Sequence, residues 1–130
     1  MTWRWISKQA LLLLHDESLA EHGGGTGLRD EGLLDSALAR PVNLASYEKQ
    51  DAAALAACYG VGIAKNHPFV DGNKRAGLLA TGLFLYLNGF RLQATQAEVT
   101  LTMLGVAAGE ISEKAFAEWL RRHIVLREKV

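Results

Sequence analysis

Between His67 and Arg75 the chain reads HPFVDGNKR, which sets an imidazole, a carboxylate, an amide, an ammonium and a guanidinium within nine positions, punctuated by Pro68 and Gly72. Pro68 disfavours helix at the residue before it, so one helix ends near His67 and another starts at or just after Asp71-Gly72-Asn73. The free N–H groups and positive dipole end of that second helix face whatever lies over the loop, which suits an anion. Gly72 lets backbone approach such a ligand closely, while Asn73, Lys74 and Arg75 offer donors to its oxygens. Asp71 is out of place beside a bare phosphate. A hard cation such as Mg²⁺, however, takes oxygen ligands from a carboxylate together with phosphates. The set reads as a cradle for a Mg²⁺-nucleotide, with His67 at its edge as a general base toward an attacking hydroxyl. Each group also has a plainer reading: His67 as a structural residue before proline, Asp71 as a helix cap, Lys74 and Arg75 as solvated first-turn residues. Phe69 is an apolar anchor under either reading. Capping alone does not require all of these residues in one loop.

The elements around the loop are helical. Ser7 caps a first helix through KQALLLLHDESLAEH, which Gly23 to Gly25 end. Asp30 caps a short second helix, with Leu33, Leu34, Ala37 and Leu38 at helical spacing and Pro41 as its stop, so residues 41–50 read as a loop. Asp51 caps a small-residue helix that runs up to His67. The segment after the loop, KRAGLLATGLFLYLN, is apolar almost all round and belongs in the centre of the domain. Gly60 and Gly62 in one of these helices, and Gly77 and Gly82 in the other, each cost roughly 0.5 to 1 kcal/mol relative to Ala. Close approach of the two backbones is the expected compensation. A brief extended piece, FRLQA, precedes a helix capped by Thr95. Ser112 caps the last helix, read through EKAFAEWLRRHIVLRE. The sequence thus predicts an all-α fold, a compact single-domain bundle of about six helices over residues 1–126, with residues 127–130 as a C-terminal tail.

Composition narrows the function classes. Lys plus Arg and Asp plus Glu are both 14, so the formal net charge is zero, which argues against a protein whose main task is gripping nucleic acid. The apolar run ALLLL is far too short to span a bilayer, and no export signal is visible, so a cytoplasmic location is expected. The one cysteine, Cys58, has no intramolecular disulfide partner and reads as a small buried thiol. His15-Asp16 invites comparison with metal-dependent phosphohydrolases, but His22, His67 and His123 lack the supporting spacing. Neither a GxxxxGK[ST] phosphate loop nor a GxSxG elbow is present. Trp3, Trp5 and Trp119 read as core or partner contacts.

HPFVDGNKR resembles the Fic motif, histidine-x-phenylalanine-x-acid-glycine-asparagine followed by a basic segment, and in particular its form in the Doc (death-on-curing) branch of the Fic/Doc family. GLRDEGLLDSALARP upstream and GLLATGLFLYLNGF downstream are similar to the same branch, so the resemblance covers most of the chain. It implies a compact Fic/Doc fold and a role for each matched position. His67 is then the general base acting on a target-protein hydroxyl, Phe69 the loop anchor and Asp71 the Mg²⁺-linked carboxylate. Gly72, Asn73, Lys74 and Arg75 form the phosphate cradle.

Two departures from full Fic adenylyltransferases matter. Those enzymes carry glycine at the position of Lys74 and a second arginine at the position of Leu78. The Doc branch shares both changes. What the resemblance implies is therefore a toxin of a toxin-antitoxin system, a protein kinase that passes the ATP γ-phosphoryl group to a threonine of elongation factor Tu and so stops translation. Adenylyl transfer and a catalytically silent binding module are the alternatives. Thr26 to Asp30 matches a built-in inhibitory motif only imperfectly, so inhibition is expected in trans, from a Phd-like antitoxin laid on an apolar groove of the first two helices.

Overall fold

The computed structural model describes residues 2–128. Its described residues form six helices and one small sheet: α1 Lys8–His22, α2 Glu31–Tyr47, α3 Ala52–Asn66, α4 Asn73–Leu87, β1 Phe90–Leu92, α5 Gln96–Ala107, α6 Glu113–His123 and β2 Ile124–Leu126. The chain is mostly helical, as the apolar periodicity predicts, and five of the N-caps are the predicted ones. The side chains of Ser7, Asp30, Asp51, Thr95 and Ser112 each accept a hydrogen bond from a first-turn backbone N–H.

α3 and α4 form the most extensive helix pair. α3 is buried along nearly its whole length, because its alanines and glycines let neighbours close in from every side. At the crossing, a Cβ added to Gly77 would lie 2.8 Å from the Gly60 carbonyl oxygen, and one added to Gly60 would collide with Thr81 Oγ1. The buried Thr81 hydroxyl donates toward Ala56 O and Gly77 O, at 3.2 and 3.0 Å, so no polar atom is orphaned there. The expected close approach therefore rests on Gly60 and Gly77. Gly62 instead packs against Ala37 of α2, and Gly82 faces open space.

Around this pair α2 and α6 cover α3, while α1 lies against α4. Tyr59, Phe84, Leu85, Phe116 and Leu120 fill the core between them. The N-terminal segment lies over Phe84 through Trp3 and Trp5, with ring centroids 5.9 and 5.8 Å away. Asn88 ties down its backbone by accepting from Arg4 N and donating to Arg4 O. Cys58 is buried, and burial pushes its thiol up to about 11, so it is a packing residue rather than a nucleophile.

Two boundaries differ from the sequence reading. Pro41 does not stop α2, which continues to Tyr47, so most of the predicted 41–50 loop is helix. Proline inside a helix costs about 3 kcal/mol. Here Pro41 is itself buried, and Leu44 and Ala45 beyond it pack on the core, so burial outweighs the lost hydrogen bond. The last helix stops at His123 instead of running on to Glu128. Ile124–Leu126 pairs antiparallel with Phe90–Leu92, in the register Phe90 to Leu126 and Leu92 to Ile124. Ile124 and Val125 are β-branched and favour this pairing. Gln93 N donates to His123 O at 2.6 Å and Arg127 N to Gly89 O at 2.8 Å, closing both ends of the ladder. Of the predicted tail, Arg127 is therefore fastened, with its guanidinium 4.2 Å from the Tyr86 ring centroid. Residues 129 and 130 lie outside the described residues.

Candidate active site

α3 ends because His67 turns into the left-handed region, at φ 53° and ψ 55°, a conformation uncommon outside glycine. Two sets of bonds hold it there. His67 N donates to Ile63 O at 3.3 Å, while Arg29 grips the helix end, its Nε donating to His67 O at 2.7 Å and its Nη2 to Asn66 O at 3.0 Å. The imidazole itself stays exposed. The segment before α2 also lines up with the loop backbone. Leu28 bridges Phe69, Val70 N donates to Gly27 O, and Arg29 N and Asp30 N both donate to Pro68 O.

Phe69 is 1% exposed and pins the loop into the core. Its backbone is clamped by Asn73, whose Oδ1 accepts from Phe69 N at 2.9 Å and whose Nδ2 donates to Phe69 O at 3.0 Å. The buried Asn73 amide is thus spent on shaping the loop. Its backbone N–H stands in the first turn of α4. Asp71 is exposed, and its Oδ1 accepts from Gly72 N at 2.8 Å. Gly72 occupies the N-cap position of α4 at φ 73°, without a side-chain cap. Asp71 is therefore not the cap of α4, and the capping explanation for its presence falls away.

His67, Val70, Asp71, Gly72, Asn73, Lys74 and Arg75 line one cleft of about 410 Å³, together with His22 and Gly23. All six residues singled out from the sequence for base, metal and phosphate roles face this space. Lys74 and Arg75 are exposed and form no ion pair among the described residues. The cleft thus combines the positive end of α4, two unpaired cations, one carboxylate and one imidazole. Such a set suits binding a phosphorylated ligand and moving a proton beside it.

A metal held by protein alone does not fit, since the described residues contain no cluster of three metal-ligating side chains. One exposed carboxylate over an anion cradle does fit a hard cation that arrives with phosphate oxygens.

The profile of the Fic/DOC family matches residues 5–85. The chain belongs to the Fic/DOC family. The protein named Protein kinase doc, of Escherichia phage P1, is 37% identical over 120 residues, covering 92% of this chain and 94% of its own length. Toxin Doc of Mycolicibacterium smegmatis is 42% identical over 78 residues, or 55% of this chain and 57% of its own. Both relatives put the chain on the Doc branch of the family.

Two residues of the site escaped the sequence reading. Arg29 fastens the His67 carbonyl. His15 was set aside with the metal comparison, yet it is buried, with its ring stacked on Phe69 at 3.8 Å. A signal for His15 was present: Leu11, His15 and Leu19 follow one another at four-residue steps, which puts the imidazole on the buried stripe of α1. Nothing in the sequence pairs Arg29 with residues 66 and 67.

Proposed function

We propose that the chain is a Doc-type toxin, a protein kinase that passes the γ-phosphoryl group of ATP to a hydroxyl of a target protein, a threonine of elongation factor Tu. The observation that carries this reading is the shared cleft, in which an imidazole, a carboxylate and two cations surround the open N-terminus of α4. Asp71 would hold Mg²⁺ through one carboxylate, and the ion would neutralise phosphate charge when bound. Gly72 and Asn73 offer backbone N–H groups, while Lys74 and Arg75 offer charged donors to phosphate oxygens. His67 takes the proton from the attacking hydroxyl. Transfer of this kind needs positioning and charge stabilisation more than covalent chemistry from the protein.

Kinase activity is favoured over adenylyl transfer by the wall beyond the cradle. Leu78, where adenylyltransferases have a second arginine, lines an apolar recess with Thr100, Met103 and Leu104, next to Lys74 and Arg75. One phosphate-binding cation is thereby replaced with apolar surface, so the triphosphate must lie differently. The name of the phage P1 relative agrees with this choice. The toxin reading carries with it a Phd-like antitoxin acting in trans and a cytoplasmic site of action. None of the described helices is long and apolar enough to cross a membrane.

Calorimetric titration with Mg²⁺-ATP is expected to show saturable binding that Lys74→Ala and Arg75→Ala each weaken by about tenfold, the scale of a lost charged hydrogen bond. Heat that is absent for the natural chain, or unchanged in both variants, would remove the nucleotide from the cradle.

A further inference from the structure

The Asp71–Gly72 peptide is the turning point of the loop. His15 Nε2 lies 2.9 Å from Asp71 O, and the only group a carbonyl oxygen can accept there is an Nε2–H. No cis peptide bonds occur among the described residues, so the carbonyl and the N–H of this unit point in opposite directions. With the oxygen drawn inward onto α1, Gly72 N–H is turned outward, where the Asp71 carboxylate accepts it at the cleft. Locally, that choice rests on the bond to the exposed Asp71 carboxylate alone. Gly72 populates positive and negative φ with similar ease, so the same peptide turned over would still be sterically allowed. Turned over, it would present a carbonyl oxygen to the anion site.

His15 is built for holding one orientation. Its ring is 1% exposed and sandwiched against Phe69 at an interplanar angle of 22°. Any side chain at position 72 would intrude on it, since a Cβ there would lie 3.2 Å from His15 Nε2. The glycine and the histidine therefore form a matched pair. The one permits the close approach, and the other removes the freedom that the glycine brings.

We propose that His15 is a positioning residue that locks the Asp71–Gly72 peptide with its N–H toward the cleft, through the Nε2–H tautomer. The proposal deepens the phosphoryl-transfer reading and rests on it for its kinetic consequence only. For activity, His15→Leu is expected to lower kcat/KM for Mg²⁺-ATP by about 100-fold, the cost of a misplacement of about 1 Å. His15→Gln, which can bring an amide N–H to the same oxygen, is expected to recover most of the loss. A residue that merely fills space predicts the reverse order, because leucine fits an apolar pocket better than glutamine.

The structural claim is tested without turnover. Long-range ¹H–¹⁵N correlation on the natural chain is expected to find His15 protonated at Nε2 alone, with the Gly72 amide resonance kept in His15→Gln and displaced in His15→Leu. Protonation at Nδ1 alone, or a Gly72 amide indifferent to both substitutions, would overturn the lock. A natural chain that carries the Nε2–H tautomer yet transfers no phosphoryl group would sink the kinase reading and leave the lock standing.

Discussion

His67→Ala is expected to lower phosphoryl transfer to the target by about 10² to 10⁴-fold, the usual contribution of a positioned general base. The fold should survive. The imidazole is exposed, and the bonds that shape position 67 are made by its backbone, to Ile63 O and from Arg29. Alanine would bear the same left-handed backbone strain that histidine bears now, of about 1 to 2 kcal/mol, so stability changes little. The transfer rate and the thermal unfolding curve of the variant, measured together, separate the two effects. Transfer within a factor of ten of the natural chain would mean that another group takes the proton. A collapse in Tm would mean that His67 holds the loop rather than serving it.

The second large effect concerns the helix pair that carries the loop. Gly77→Leu is expected to destabilise the protein by roughly 3 kcal/mol or more, because overpacking here cannot be relieved by a rotamer change. The obstruction is backbone: the new Cβ meets Gly60 O at 2.8 Å, with Ala64 Cβ at 3.3 Å behind it. Opening α3 from α4 would also part His67 from Lys74 and Arg75, so activity is lost with stability. Gly82→Ala is the matched control. No atom lies within 4 Å of a Cβ at Gly82, so this substitution should stabilise by roughly 0.5 to 1 kcal/mol through helix propensity alone. Urea unfolding of both variants decides the matter, and equal destabilisation by the two would contradict the packing described for the central pair.

Much of this architecture was legible in the chain because its signals are local. Ser7, Asp30, Asp51, Thr95 and Ser112 announce helix starts through a bond to the next turn, and the structure uses all five. What misled were signals that depend on distant partners. Pro41 looks like a stop until Leu44 and Ala45 are seen to gain burial beyond it. Ile124 keeps helical spacing with Leu120, and only pairing with Leu92 shows that it belongs to a strand.

The candidate site follows the same division. HPFVDGNKR places its own residues, since a proline, a glycine and a helix start within nine positions leave the loop few paths. The bonds that hold this loop come from α1 and from the segment before α2, through His15 and Arg29, more than thirty residues away in each case. Asn73 shows the limit from the other side. Its residue type fits phosphate donation, but only the fold reveals that its amide is already engaged with Phe69.

The most direct measurement is a paired transfer assay on purified elongation factor Tu, with ATP labelled at the α- or the γ-phosphate, for the natural chain and for His67→Ala. The account predicts label from the γ-position only, lost in the variant. Label from the α-position would contradict it by making the protein an adenylyltransferase, and would show that Lys74 and Leu78 do not set the lie of the triphosphate.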